Sequence, residues 1–202
     1  MTLSRVRYFL WTLVAVVSAT TALFMLPQYA IDGSRKSDVI IGGSFSMTSH
    51  LGQPVTEQDY IGQPMAMFFG FTNCEDICPI TLMQSKLIRQ QLGADAEKVA
   101  FVFVSVDPKR DTADVIATYL KRFDSSITGL VGDMKVFDTI RSDYNLEFVE
   151  VPREGSTSST DYGVSHTPNP YLLDTTGKLV ARYAYGMDIK MMVRDIKSRL
   201  AS

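Results

Sequence analysis

Cysteine and histidine are scarce in this chain. Two of each stand among 202 residues, so any site built from thiols and imidazoles can be enumerated almost completely. Long runs of one charge are missing too. The 20 basic and 22 acidic residues nearly balance, which argues against a chain that lives by neutralising nucleic-acid phosphates, and nucleic acid is not an expected partner. No internal repeat or low-complexity tract is present, leaving one domain of ordinary size, with something added, as the default organisation. A further absence is local: no charged residue lies between Tyr8 and Ile31.

As a helix, that uncharged stretch reaches about 36 Å, enough for a hydrocarbon layer of about 30 Å. Residues 8–31 are therefore expected to form a single transmembrane anchor. Arg5 and Arg7 stand just before it, so the positive-inside tendency puts residues 1–7 in the cytoplasm and the rest across the membrane, facing an oxidising compartment. A cleaved signal peptide is the competing reading, but the apolar run is longer than a usual signal core and no good small-x-small site follows it. No mitochondrial-type presequence precedes Arg5. That favours a bacterial inner membrane, with the soluble part in the periplasm, over a mitochondrial intermembrane space.

Residues 32–40 have the small polar character of a linker, and 41–202 should be the folded domain. Phe45 to Thr48 and Pro54 to Thr56 flank His50-Leu51-Gly52 and read as a short hairpin, with His50 solvated at its tip. Two apolar runs, 65–71 and 99–106, are too continuous for half-buried strands and fit a parallel central pair. Between them, 79–92 carries Ile80, Met83, Leu87, Ile88 and Leu92 at mostly helical spacing, with Gly93 as a stop. Asp111 or Thr112 can cap a following helix, and Asp133 another. Residues 152–165 are polar and read as an exposed loop. A hairpin at 171–173 and 179–185 and a helix at 187–200 close the chain. The fold class expected is α/β: a thioredoxin-like order with an added N-terminal hairpin and an inserted loop. Met65, Met67 and Met83 fall on core faces in this reading, so no thioether ligand is expected.

The sharpest local signal is Thr72-Asn73-Cys74-Glu75-Asp76-Ile77-Cys78-Pro79, between a buried strand and a helix. Ligands of open α/β sheets gather beyond the carboxyl ends of the strands. Pro79 belongs in the first helical turn, which places both cysteines where backbone N–H groups favour a thiolate. The pair reads as a redox disulfide, as a metal-binding pair, or as a plain structural disulfide; so short a loop gives the last little to stabilise. Glu75 and Asp76 should raise a thiol pKa and attract a cation, which suits a metal better than a fast nucleophile. His166 precedes the strand at 171–173. In a thioredoxin-like arrangement that segment packs against the cysteine loop. Cys74, Cys78 and His166 are thus the candidate metal ligands. Two soft sulfurs and a nitrogen suit copper, as Cu(I) or as Cu(II) with a further light ligand, although catalytic-type zinc has the same ligand count. Asp107 ends the second central strand on the same side. It reads either as a turn residue before Pro108 or as a carboxylate backing the ligands.

Four segments together resemble the Sco/SenC family of copper proteins: Phe69-Gly70-Phe71-Thr72; Cys74-Glu75-Asp76-Ile77-Cys78-Pro79; Ser105 through Thr112, with Asp107-Pro108-Lys109-Arg110-Asp111 at its centre; and Ser165-His166-Thr167 ahead of Tyr171-Leu172-Leu173-Asp174. Family members often have proline where Glu75 stands, and Pro168-Asn169-Pro170 makes the segment after His166 unusually stiff; neither departure removes a ligand. The resemblance implies a thioredoxin fold and a metallochaperone rather than an enzyme. It implies that copper on Cys74, Cys78 and His166 is passed to the copper centre of cytochrome c oxidase subunit II. Other periplasmic copper or thiol-redox proteins would be further partners. Two alternatives stand beside it. One is a thiol-disulfide oxidoreductase that uses the Cys74–Cys78 pair to keep the oxidase's copper-site cysteines reduced. The other is a thiol peroxidase, for which the acidic loop is unsuited.

Overall fold

The computed structural model describes residues 43–144, 146–152, 155, 161–166 and 168–201, together with Trp11, Thr12, Val14, Val16, Ser18 and Thr20. The chain divides into two compact units, Met1–Val39 and Ile40–Ser202. In the first, the six described residues are helical and exposed, and Thr20 Oγ1 donates to the Val16 carbonyl at 2.9 Å. Among the described residues no helix is long and apolar enough to cross a membrane. Most of the anchor expected at 8–31, and all of the linker expected at 32–40, lie outside the described residues.

In the second unit the two apolar runs become strands β3 (Met65–Gly70) and β4 (Ala100–Ser105), paired in parallel with Met65 opposite Ala100. They are the middle of a seven-stranded sheet of order β2-β1-β5-β4-β3-β8-β9. Covered on both faces, they need no polar alternation, which is why they read as continuous apolar runs. β1 (Ser46–Ser49) and β2 (Pro54–Thr56) form the N-terminal hairpin, whereas β8 (Tyr171–Leu173) and β9 (Leu179–Arg182) form the C-terminal one, antiparallel to β3. Strand β5 (Thr128–Val131) was not expected from the sequence. It is four residues long with Gly129 inside, too short for a periodic signal, yet it pairs parallel to β4 and antiparallel to β1 and so joins the N-terminal hairpin to the sheet.

The crossover helix α1 (Ile77–Leu92) starts two residues before Pro79, and its stripe is rotated from the expected one. Thr81, Leu82, Ser85, Ile88 and Leu92 are buried with Cys78, while Ile80, Met83 and Leu87 are exposed. Met83 therefore stands on the solvent side, unlike the buried Met65 and Met67. The sequence held two overlapping apolar stripes, and only packing against the sheet chose between them. Thr112 caps α2 (Ala113–Leu120) by accepting from the Val115 N–H, and Asp133 caps α3 (Met134–Asp143). The last helix, α4 (Ile189–Leu200), is capped by Asp188.

The two faces of the sheet carry separate apolar clusters. Phe68, Phe101 and Phe103 pack with Leu82, Ile116 and Ile196 on one face; Met67, Phe69, Val102 and Val104 pack with Phe137 and Ile140 on the other. This second face also carries the segment expected as an exposed polar loop. Among its described residues, Pro152 and Tyr162 to Ser165 are strand residues: β6 (Phe148–Pro152) and β7 (Tyr162–His166) make a separate two-stranded antiparallel ribbon with Phe148 opposite His166. Tyr162 and Val164 alternate inward and are buried, which fixes the register and carries His166 toward the end of β3.

Candidate metal centre

Cys74 and Cys78 are free thiols where β3 hands over to α1. Cys74 is half-buried and borders an open depression shared with Phe71, Ile77 and Val151, whereas Cys78 is only 1% exposed. Asp76, at the N-cap, offers α1 no side-chain cap; instead the Cys78 N–H donates to Cys74 Sγ at 3.4 Å. The first N–H groups of a helix have no partner inside it, and the positive end of the helix favours an anion there. Cys74 takes the place of the capping oxygen. Pro79 fits because its missing N–H falls in the turn where none is needed.

The sulfurs differ in proton affinity. Cys74 accepts a hydrogen bond from the Cys78 thiol and further bonds from backbone N–H groups, and these pull its pKa down to about 5 against the opposing effect of burial. Cys78 is pushed the other way, by donating to Cys74, by burial, and by the charge on its neighbour. The expectation that Glu75 and Asp76 would raise the thiol pKa is overturned for Cys74. Short-range donors aimed at the sulfur outweigh acidic side chains that share their charge with solvent.

His166 arrives from 88 residues away, with Nε2 3.9 Å from Cys78 Sγ. Its ring packs edge-on against Phe71, and Nδ1 stands 3.3 Å from the Val164 carbonyl, so a proton on Nδ1 would leave Nε2 as the lone-pair nitrogen facing the sulfur. Cys78 is the shared neighbour of the three candidates, bonded to Cys74 on one side and facing His166 on the other. Among the described residues no three His, Cys, Asp or Glu side chains stand close enough together to form a ready-made metal cage. The other histidine is remote from these residues in role: His50 is half-buried rather than simply solvated, and its Nδ1 accepts from the Gly129 N–H at 3.0 Å.

Two supporting residues were not read as such from the sequence. Gly70, the last residue of β3, leaves room for the Cys78 sulfur: a Cβ there would lie 2.8 Å from Sγ and 2.8 Å from Phe103 Cε2. Asp111, proposed from the sequence as a helix cap, is fully buried and fastens the cysteine loop instead. Its carboxylate accepts from Thr72 N at 3.0 Å, Thr72 Oγ1 at 2.5 Å and Ser105 Oγ at 2.6 Å. Asp107 is 2% exposed, well beyond what a simple turn residue requires, and bonds Arg110 and Tyr162 rather than either cysteine.

The SCO1/SenC family model matches residues 33–201. The mitochondrial SCO1 homologues of mouse and human are 35% and 33% identical over 143 residues, about 70% of this chain in each case. The chain spans about half the length of these relatives, 49% and 46% respectively. Among solved structures, copper-bound ScoI of Bradyrhizobium japonicum superposes with a TM-score of 0.71 at 34% identity, covering 78% of this chain and 98% of that one. Yeast Sco1 with copper bound gives 0.71 at 30% identity, covering 80% and 88%. With the match extending over the cysteine loop, the ribbon and the thioredoxin-like sheet, the chain belongs to the SCO1/SenC family.

Proposed function

We propose that this chain is a copper metallochaperone that carries one copper ion on Cys74, Cys78 and His166. The cargo would be delivered to the copper centre of cytochrome c oxidase subunit II. The observation that carries the reading is the approach of His166 Nε2 to 3.9 Å from Cys78 Sγ, across 88 residues, beside a second free thiol. Two thiolates and one imidazole form a soft, three-point donor set that suits Cu(I), and a further light ligand extends it to Cu(II). Cys74 gives up its proton readily, so it presents a thiolate to an arriving ion. Its half-exposure leaves a path for a partner's ligand to enter as this one leaves. Copper-bound relatives of the same fold support the choice of ion. Residues 8–31 would anchor the chain in a bacterial inner membrane, with residues 32–40 as tether and 41–202 in the periplasm.

The test is copper binding by the reduced full-length chain in mild detergent, compared with Cys74→Ser, Cys78→Ser and His166→Ala. About one copper per chain is expected for the wild type, with weaker retention in every variant. Wild-type retention by His166→Ala would overturn the three-ligand site.

A second reading rests on the asymmetry of the thiols. The accessible, readily ionised Cys74 stands in front of the enclosed Cys78, the arrangement of an attacking and a resolving cysteine. Cys74 thiolate would attack a partner's disulfide, forming a mixed disulfide and releasing one partner thiolate. Cys78 would then attack Cys74 Sγ, leaving the Cys74–Cys78 disulfide and the partner's second thiol. His166→Ala separates the readings, since thiol exchange does not need the imidazole.

A further inference from the structure

The ribbon that carries His166 pairs only with itself in the described structure, β6 with β7, and is not a strand of the main sheet. Its distance from the cysteines must therefore be set by side chains. Some come from α3, where Phe137 packs on the Phe148 ring and Arg141 donates to the Phe148 carbonyl; the ones that also hold the cysteine loop come from the turn after β4. Tyr162, the first residue of β7, donates its hydroxyl to Asp107 Oδ1 at 2.7 Å. Arg110 closes the other side: its Nε donates to Asp107 Oδ2 at 2.5 Å and its Nη1 donates to the Tyr162 carbonyl at 2.8 Å. The guanidinium lies 3.7 Å from the Tyr162 ring centroid and 5.9 Å from that of Phe71, the ring that also packs on His166. A charged, hydrogen-bonded and stacked contact of this kind, with Asp107 nearly excluded from water, is worth far more than an exposed ion pair. The same turn holds the cysteine side of the site, because Asp111 fastens Thr72. Residues 107–111 thus grip both halves.

We propose that Asp107, Arg110 and Tyr162 are positioning residues that set how closely His166 approaches Cys74 and Cys78. The turn after β4 is then a two-armed bracket, one arm on the ribbon and one on the cysteine loop. The inference rests on the copper reading above, which it deepens by naming what holds the imidazole in reach. Arg110 suits the task where lysine would not, since its planar fork bonds the carboxylate and the Tyr162 carbonyl while stacking on the ring.

The experiment uses the full-length chain in mild detergent, reduced and metal-free, with Tyr162→Phe, Arg110→Lys and the exposed-pair control Lys109→Ala. Hydrogen exchange read by mass spectrometry is expected to rise about tenfold in peptides of β6 and β7 for the first two variants. Peptides of β3 and β4 should be unchanged. Lys109→Ala, which removes the exposed pair with Glu150 and a distant 5.9 Å approach of the ammonium to the Tyr162 ring but no bond to Asp107 or Arg110, should differ little from wild type. Cu(I) retention against a competing chelator should fall about tenfold in Tyr162→Phe and Arg110→Lys, and Tyr162→Phe should add nothing in a His166→Ala background. Unchanged ribbon exchange overturns the proposal. So does faster ribbon exchange with copper retention intact, or a copper loss that adds fully to that of His166→Ala. Should the wild type itself ignore copper, the copper reading fails, and the exchange arm alone decides whether the bracket holds the ribbon.

Discussion

Gly70→Ala tests whether the Cys78 sulfur is placed by close packing. The added methyl would stand 2.8 Å from Cys78 Sγ and 2.8 Å from Phe103 Cε2. Comfortable contacts between such atoms lie at about 3.5–4.0 Å, so one or both must retreat by roughly 0.7 Å or more. Phe103 is fully buried and has no open space to move into; the sulfur, on a short side chain in the first turn of α1, is the atom that yields. Overpacking of this kind costs roughly 1–3 kcal/mol, offset by about 0.4–1 kcal/mol because alanine restricts the unfolded chain. A net loss of about 1–2 kcal/mol is expected. With an m-value of about 2 kcal/mol per molar urea, the midpoint for the reduced metal-free protein should fall by about 0.5–1 M at constant slope. Cu(I) retention against a chelator should weaken about tenfold, since a displaced sulfur no longer faces His166. Trimming the opposing ring with Phe103→Leu should restore part of the packing space without restoring copper retention fully. An unchanged urea midpoint together with unchanged copper retention would refute the packing argument. A stability loss with full copper retention would show that the sulfur is not positioned by Gly70.

Four further outcomes can be checked. Alkylation of the reduced apo-protein by iodoacetamide at pH 7, mapped by mass spectrometry, should mark Cys74 well before Cys78; as pH falls toward about 5 the rate at Cys74 should drop with loss of its thiolate, and a midpoint at an ordinary thiol's pKa would contradict the capping geometry. Asp111→Ala should cost roughly 3 kcal/mol by stranding the Thr72 N–H and two hydroxyls, whereas Asp111→Asn can keep all three bonds if Thr72 Oγ1 accepts from the amide; equal urea midpoints for the two variants would refute this account. The sign of its pH dependence also follows. Burial raises the Asp111 carboxyl pKa, so its contribution to stability is full below the unfolded value and is lost as pH rises through the folded one; Asp111→Asn should therefore gain on the wild type as pH rises above the unfolded carboxyl value of about 4. His50→Leu should cost roughly 1–3 kcal/mol by leaving the Gly129 N–H without its acceptor, and a change within about 0.5 kcal/mol of zero would show that water replaces the imidazole.

The central strands, the crossover helix, most of its successors and the cysteine loop were legible because each depends on short-range rules. Strands 65–70 and 100–105 carry no polar side chain before the final Ser105 because both faces are covered, and Pro79, Thr112, Asp133 and Asp188 sit where helix ends require them. With only two cysteines and two histidines to choose from, His166 could be named as the imidazole before its neighbours were known. The helical stripe was read wrongly because α1 carries apolar side chains on more than one face, and the side that packs is chosen by the sheet. The roles of Gly70, Asp107 and Asp111, the ordering of a polar segment into a ribbon, and the reversal of the Cys74 pKa were decided by tertiary structure alone. Each depends on atoms distant in sequence or on the aim of individual N–H groups, and no local pattern encodes such distances. The sequence by itself determined which residues can do the chemistry; folding decided how near they come, because three chain segments must converge at the end of β3 before a thiol and an imidazole can meet.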